Sequence, residues 1–90
     1  VISALVPTLG GDSRLERNLP SVVRALAATG ERWEVLVVDD GQQLRREPQG
    51  VRVLQLAQSR GYGPAVNAGA AAASGDQLLV LNDDVRLEES

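Results

Sequence analysis

Apolar residues fall along this chain in two rhythms: short continuous runs, and one stripe at helical spacing. Val1 to Val6 is an apolar, β-branched run, and Pro7 is expected to close it as a strand end. The residues Thr8-Leu9-Gly10-Gly11-Asp12 read as loop. Leu15, Leu19, Val22, Val23 and Leu26 then recur at the spacing of one helix face. Ser13 and Glu16 have the spacing of a capping box at its start, and Gly30 is a stop signal. Pro20 conflicts with this helix, since proline beyond the first turn costs about 3 kcal/mol or more. The helix is therefore expected either to kink there or to begin near Asn18.

Trp33 to Val38 and Val51 to Leu56 are the next two strand-like runs, apolar enough for a sheet covered on both faces. The polar stretch Gly41 to Gly50, with Pro48 inside it, holds a short helix at most. Gly61-Tyr62-Gly63-Pro64 opens a second helix with proline in its first turn, running through Ala65 to Ala73 on small residues. Gly69 inside it costs about 1 kcal/mol against alanine, so it is expected to permit close packing on the sheet. Ser74-Gly75-Asp76 ends that helix, and Gln77 to Leu81 forms a fourth strand. The order β-α-β-β-α-β predicts an α/β fold: a three-layer, mostly parallel sheet.

Composition narrows the chemistry. Ninety residues make one small domain at most. With no cysteine and no histidine, disulfides, the usual zinc sites, thiol nucleophiles and Ser-His triads are excluded. Any metal would be a hard ion on oxygen ligands. The net charge is −3 and all nine basic residues are arginine, which makes a poor nucleic-acid binder. No apolar run approaches the roughly 20 residues of a transmembrane helix and no signal-peptide pattern opens the chain, so the expected compartment is the cytoplasm. Val1 already lies in a strand-like run and Ser90 follows a motif closely, so the chain reads as part of something longer.

Two strand-like runs end in acids: Val35-Leu36-Val37-Val38 in Asp39-Asp40-Gly41, and Leu78-Leu79-Val80-Leu81 in Asn82-Asp83-Asp84. Each has a plain explanation, the first as a turn and the second as a cap for a following helix. Together they suit a nucleotide diphosphate at the carboxyl ends of an open sheet, where such sheets bind ligands. Carboxylates alone repel a diphosphate, and a Mg²⁺ or Mn²⁺ between them reverses that sign. Carboxylates can also accept hydrogen bonds from a base or from ribose hydroxyls. Gly61 and Gly63 would let backbone approach a ligand at a helix start, and Arg60 could pair with a phosphate.

Taken in order, these pieces resemble the front half of an inverting family 2 glycosyltransferase with the GT-A fold. The stretches are Ala4 to Thr8, Trp33 to Gly41, Arg60 to Gly69, Ala73 to Asp76 and Leu81 to Asp84. The resemblance implies a Rossmann-like GT-A nucleotide-binding half, with residues 1–90 as a partial domain that binds a nucleotide-diphospho-sugar donor. It assigns Pro7, Thr8, Asp39 and Asp40 to the nucleoside, with Arg60, Gly61 and Asn67 also lining the donor site. Its D-x-D motif falls on Asn82-Asp83-Asp84, giving Asp84 as the main metal ligand, Asp83 beside it, and Asn82 nearer the ribose.

Three positions depart from the family pattern: Asn82 replaces the first Asp of D-x-D, Gln42 a serine, and Ser59 an asparagine. The family's catalytic base lies beyond the D-x-D motif, so these residues alone are expected to show no transferase activity. A sheet cut at this point would expose an edge and self-associate. A phospho-receiver domain is a poor alternative: its acid pair follows the first strand, and it needs a lysine that this chain lacks. A dinucleotide-binding domain would carry G-x-G-x-x-G after strand one, where Thr8-Leu9-Gly10-Gly11 stands. The remaining alternative is a non-catalytic nucleotide-binding or interaction module of the same fold.

Overall fold

The computed structural model describes residues 1–8, 14–40, 50–56, 58 and 61–82. Its elements run β1 (Ile2–Thr8), α1 (Arg14–Ala27), β2 (Trp33–Asp40), β3 (Arg52–Leu56), α2 (Tyr62–Ala72) and β4 (Gln77–Val80). The four strands form one sheet in the order β3-β2-β1-β4, with every pairing parallel. The fold is thus α/β with the expected element order. No helix among the described residues is long and apolar enough to cross a membrane.

Register and strand alternation sort the side chains. Ala4 is level with Val35 and Val6 with Val37, and these residues share a core with Leu15, Leu19, Val22 and Leu26 of α1. The stripe read from the helical spacing is the buried face of α1, with Val23 packed at its margin. Leu5 and Val38, which point to the other side, meet Gly69 of α2. The two helices therefore cover opposite faces, giving three layers.

Two strand boundaries differ from expectation, and the choice left open for α1 is decided. Helix α1 begins at Arg14 and continues through Pro20, the earlier of its two expected starts. Pro20 is exposed while four aliphatic side chains of the helix are buried, so packing outweighs the lost backbone bond. The carbonyl of Asn18 accepts the Ser21 hydroxyl at 2.7 Å. Strand β1 continues past Pro7 to Thr8. Leu5 O accepts from Leu81 N, so the odd-numbered backbone groups of β1 face β4. The β1–β4 ladder stops at Leu5↔Val80, and the missing N–H of Pro7 falls beyond it, where no ladder bond is lost. Strand β2 likewise runs on through Asp39 and Asp40. Gly30 stops α1 as expected, in the left-handed region at φ 77°. The Ser13 cap and the stretch from Gly41 to Gln49 lie outside the described residues.

Gly69 permits the close packing expected of it. A Cβ there would stand 2.8 Å from Val38 Cγ2 and 3.6 Å from both Leu5 methyls. Alanine would normally gain about 1 kcal/mol inside a helix. Here the steric term is larger, and Gly69→Ala is expected to lose about 1–2 kcal/mol on urea unfolding. A neutral or stabilised variant would show that α2 stands off the sheet.

Candidate functional site

The strand order places a topological switch beside β1: the chain leaves β1 toward β2 and β3 on one side, and returns as β4 on the other. Open α/β sheets bind ligands in the crevice at this point, outside the carboxyl ends of the strands. Pro7 and Thr8 end β1 there, and both are buried. Asn82 follows β4 two residues after the last ladder pair and is exposed. Asp39 and Asp40 end β2, which stands on the opposite side of β1 from β4. All the described members of the expected site except Asn67 and Gly61 are therefore strand-end residues of one rim.

The acid pair is split by the sheet. Thr8, Asp39 and Gln55 occupy one cross-strand row, level with one another on β1, β2 and β3. By alternation this row lies on the α1 side, and Gln55 Nε2 donates to Asp39 Oδ2 at 3.5 Å. Asp40 points to the α2 side, where its Oδ2 accepts the backbone N–H of Gly61 at 3.0 Å. Both carboxylates are buried, Asp39 fully. Neighbouring positions on a strand thus serve opposite faces, and the two aspartates do not form a single chelating pair.

Gly61 is required by its backbone conformation, not by crowding from the protein. A Cβ on it or on Gly63 would meet nothing within 4 Å. Its backbone, at φ 93° and ψ 176°, lies in a region essentially reserved for glycine. That conformation turns its N–H onto Asp40 and starts α2, whose N-terminus has no side-chain cap. The Asp40 carboxylate thus holds an amide at the positive end of the helix.

Asn67 is exposed, midway between the two residues of α2 that are buried, Ala65 and Gly69. The structure sets it on the side of the helix away from the sheet. Arg60, Asp83 and Asp84 lie outside the described residues, as do Gln42 and Ser59. No group of three metal-ligating side chains occurs among the described residues.

A second polar cluster, absent from the sequence reading, sits at the amino-terminal rim. Glu34 Oε2 accepts from Ser3 Oγ at 2.6 Å and from Ser74 N at 2.6 Å, and Arg52 donates to Oε1 at 2.7 Å. Arg52 also reaches the Ala72 carbonyl at 3.4 Å, at the C-terminal turn of α2 where a cation is favoured. The Ser3 hydroxyl bond, against the opposing effect of burial and with help from Ser74 N–H and Arg52, holds the Glu34 carboxyl down at about 2. The available signal was the parity of Ser3 and Glu34, one polar residue on each of two adjacent apolar strands.

Compared with known proteins, residues 3–90 match the family model described as Glycosyl transferase family 2, and no curated protein matches the chain.

Proposed function

The chain belongs to glycosyl transferase family 2, and from that premise we propose that its carboxyl rim binds a nucleotide-diphospho-sugar donor together with a divalent cation. The observation that carries this reading is the switch at β1, which aligns Pro7 and Thr8 between the β2 acids and Asn82. Strands β2 and β4 are two sheet spacings apart, about 10 Å. An extended nucleotide bridges such a gap; a single phosphate does not. The nucleoside half lies over β1 and β2, at Pro7, Thr8, Asp39 and Asp40. Since these two acids face opposite sides, they act separately, and Asp40 shares its carboxylate with the Gly61 N–H. The diphosphate lies over the end of β4, at Asn82, Asp83 and Asp84, with Arg60 and the start of α2 as cationic and N–H partners.

The donor set suits Mg²⁺ or Mn²⁺, because the chain offers carboxylate and amide oxygens and neither histidine nor cysteine. Asp84 would hold the ion, assisted by Asp83; when bound, it offsets charge on the departing diphosphate. Inversion needs a base to take the acceptor's proton, and none of the residues assigned here is one. Residues 1–90 are on this reading the donor-binding part of a GT-A domain. Asn67, exposed on the far side of α2, is the weakest member of the assigned set. The exposed edge strand β4 is the surface through which self-association would run.

Titration of UDP, GDP and dTDP by calorimetry, with and without Mn²⁺, tests the reading. At least one is expected to bind with a Mn²⁺-dependent gain, and Asp84→Ala is expected to weaken that binding by about 10- to 100-fold. Absence of binding by all three would overturn it in favour of a non-catalytic module.

A further inference from the structure

Burial fixes the register of β4 only loosely. The strand has four residues, all exposed, including Leu78, Leu79 and Val80, which point alternately to the two faces. With Leu81 they make four consecutive apolar residues, of which Leu81 alone reaches the core. A slip of one residue toward the carboxyl rim would put Val80 in the place of Leu81, apolar for apolar. Strands without a polar and an apolar face are prone to such slips. The slip would carry Asn82 about 3.3 Å outward and turn it to the other face of the sheet.

The segment leading into β4 forbids that slip. Ser74 N donates to Glu34 Oε2 at 2.6 Å, and Gly75 N donates to Ser3 Oγ at 2.8 Å. Ser3 Oγ in turn donates to the same Glu34 oxygen, so one buried hydroxyl and one carboxylate hold two successive amides. Gly75 is also pressed against β1. A Cβ there would stand 2.5 Å from Ser3 Oγ, 2.6 Å from Val1 O and 2.9 Å from Ser3 N. A slip in either direction brings Ser74 or Asp76 to this spot, and each carries the Cβ that does not fit. The hydrogen bonds define the position, and the glycine excludes its neighbours.

We propose that Ser3, Glu34 and Gly75 are positioning residues that pin the register of β4 on β1, and so fix the level and face of Asn82, the first residue of the Asn82-Asp83-Asp84 motif. They sit at the rim opposite the donor and touch no part of it. The inference rests on the donor-binding reading, since it gives that site's diphosphate side its place. Its structural half can be measured without any nucleotide.

In the full 90-residue chain, cross-strand nuclear Overhauser contacts report the register: Ala4 with Leu79 and Leu5 with Val80 in the native pairing. Gly75→Ala and Glu34→Ala are expected to lose these contacts or to add a set displaced by one residue. The Mn²⁺-dependent part of nucleoside diphosphate binding should fall by at least about tenfold. Affinity for the matching nucleoside, which lies on β1 and β2, should change by less than about twofold. Folded variants that keep the native contacts overturn the proposal. So do variants that lose nucleoside and diphosphate binding in equal measure. If Gly75→Ala does not fold, Ser3→Ala removes only the hydroxyl and carries the same test with the same outcomes. Failure of the donor reading shows separately, as absence of nucleotide binding by the unaltered chain, and leaves the register measurement in force.

Discussion

Leu5→Ala is expected to remove about 3–4 kcal/mol of stability. Truncating a buried leucine costs about 2–5 kcal/mol, and the upper part of that range applies where neighbours do not close the void. Leu5 is fully buried on the central strand β1. Its side chain faces α2 at Gly69, which has no side chain to move into the gap. A chain of this size has a total stability of roughly 5–13 kcal/mol, so the variant loses a large share of it. The midpoint of thermal unfolding should fall by about 15 °C or more, with the urea m-value unchanged. The same strand carries Pro7 and Thr8 to the rim, so donor affinity should fall with the folded fraction and no further. A loss below about 1 kcal/mol would show that α2 is not seated on Leu5.

Acid should loosen the protein through Glu34. The folded carboxyl titrates at about 2 against 4.5 for the unperturbed group, so the unfolded chain binds this proton more readily. The stabilisation is complete above about pH 5.5 and is lost as the pH falls toward 2. The side chain is 15% exposed but its partner Arg52 is half in solvent, so solvent screening reduces the coupling to about 2 kcal/mol. Glu34→Gln is expected to be less stable than the parent at pH 7 by about that amount. The gap should narrow steadily between pH 5 and pH 3 in urea titrations. A gap that stays constant across that range would mean that the charge on Glu34 contributes nothing, and only the shape of the side chain counts.

Most of the element order was legible because each element has a local signature. The 3-4 spacing of Leu15, Leu19, Val22 and Leu26 admits one buried helix face, and that face lies on the sheet. Short apolar runs marked the strands, but not where they stop. Pro7 reads as a terminator because proline removes a ladder donor; the early end of β4 makes that donor unnecessary. Asp39 and Asp40 read as a turn pair because aspartate favours turns, whereas the pairing of β2 with β1 and β3 keeps both inside the strand. The same limit applied to the site. Adjacent aspartates look like one binding unit in a sequence, and a pleated strand sends them to opposite faces.

By itself the sequence determined the family, the α/β class and which residue types are available for chemistry, because composition, periodicity and motif order are properties of the chain. Only the tertiary structure decided that β4 lies against β1, that Asp40 meets Gly61 while Asp39 meets Gln55, and that Ser3, Glu34 and Gly75 converge. These contacts join residues 16 to 75 positions apart, and local preference carries no information about which distant strand becomes a neighbour. That choice is made by burying both faces of the central strands at once.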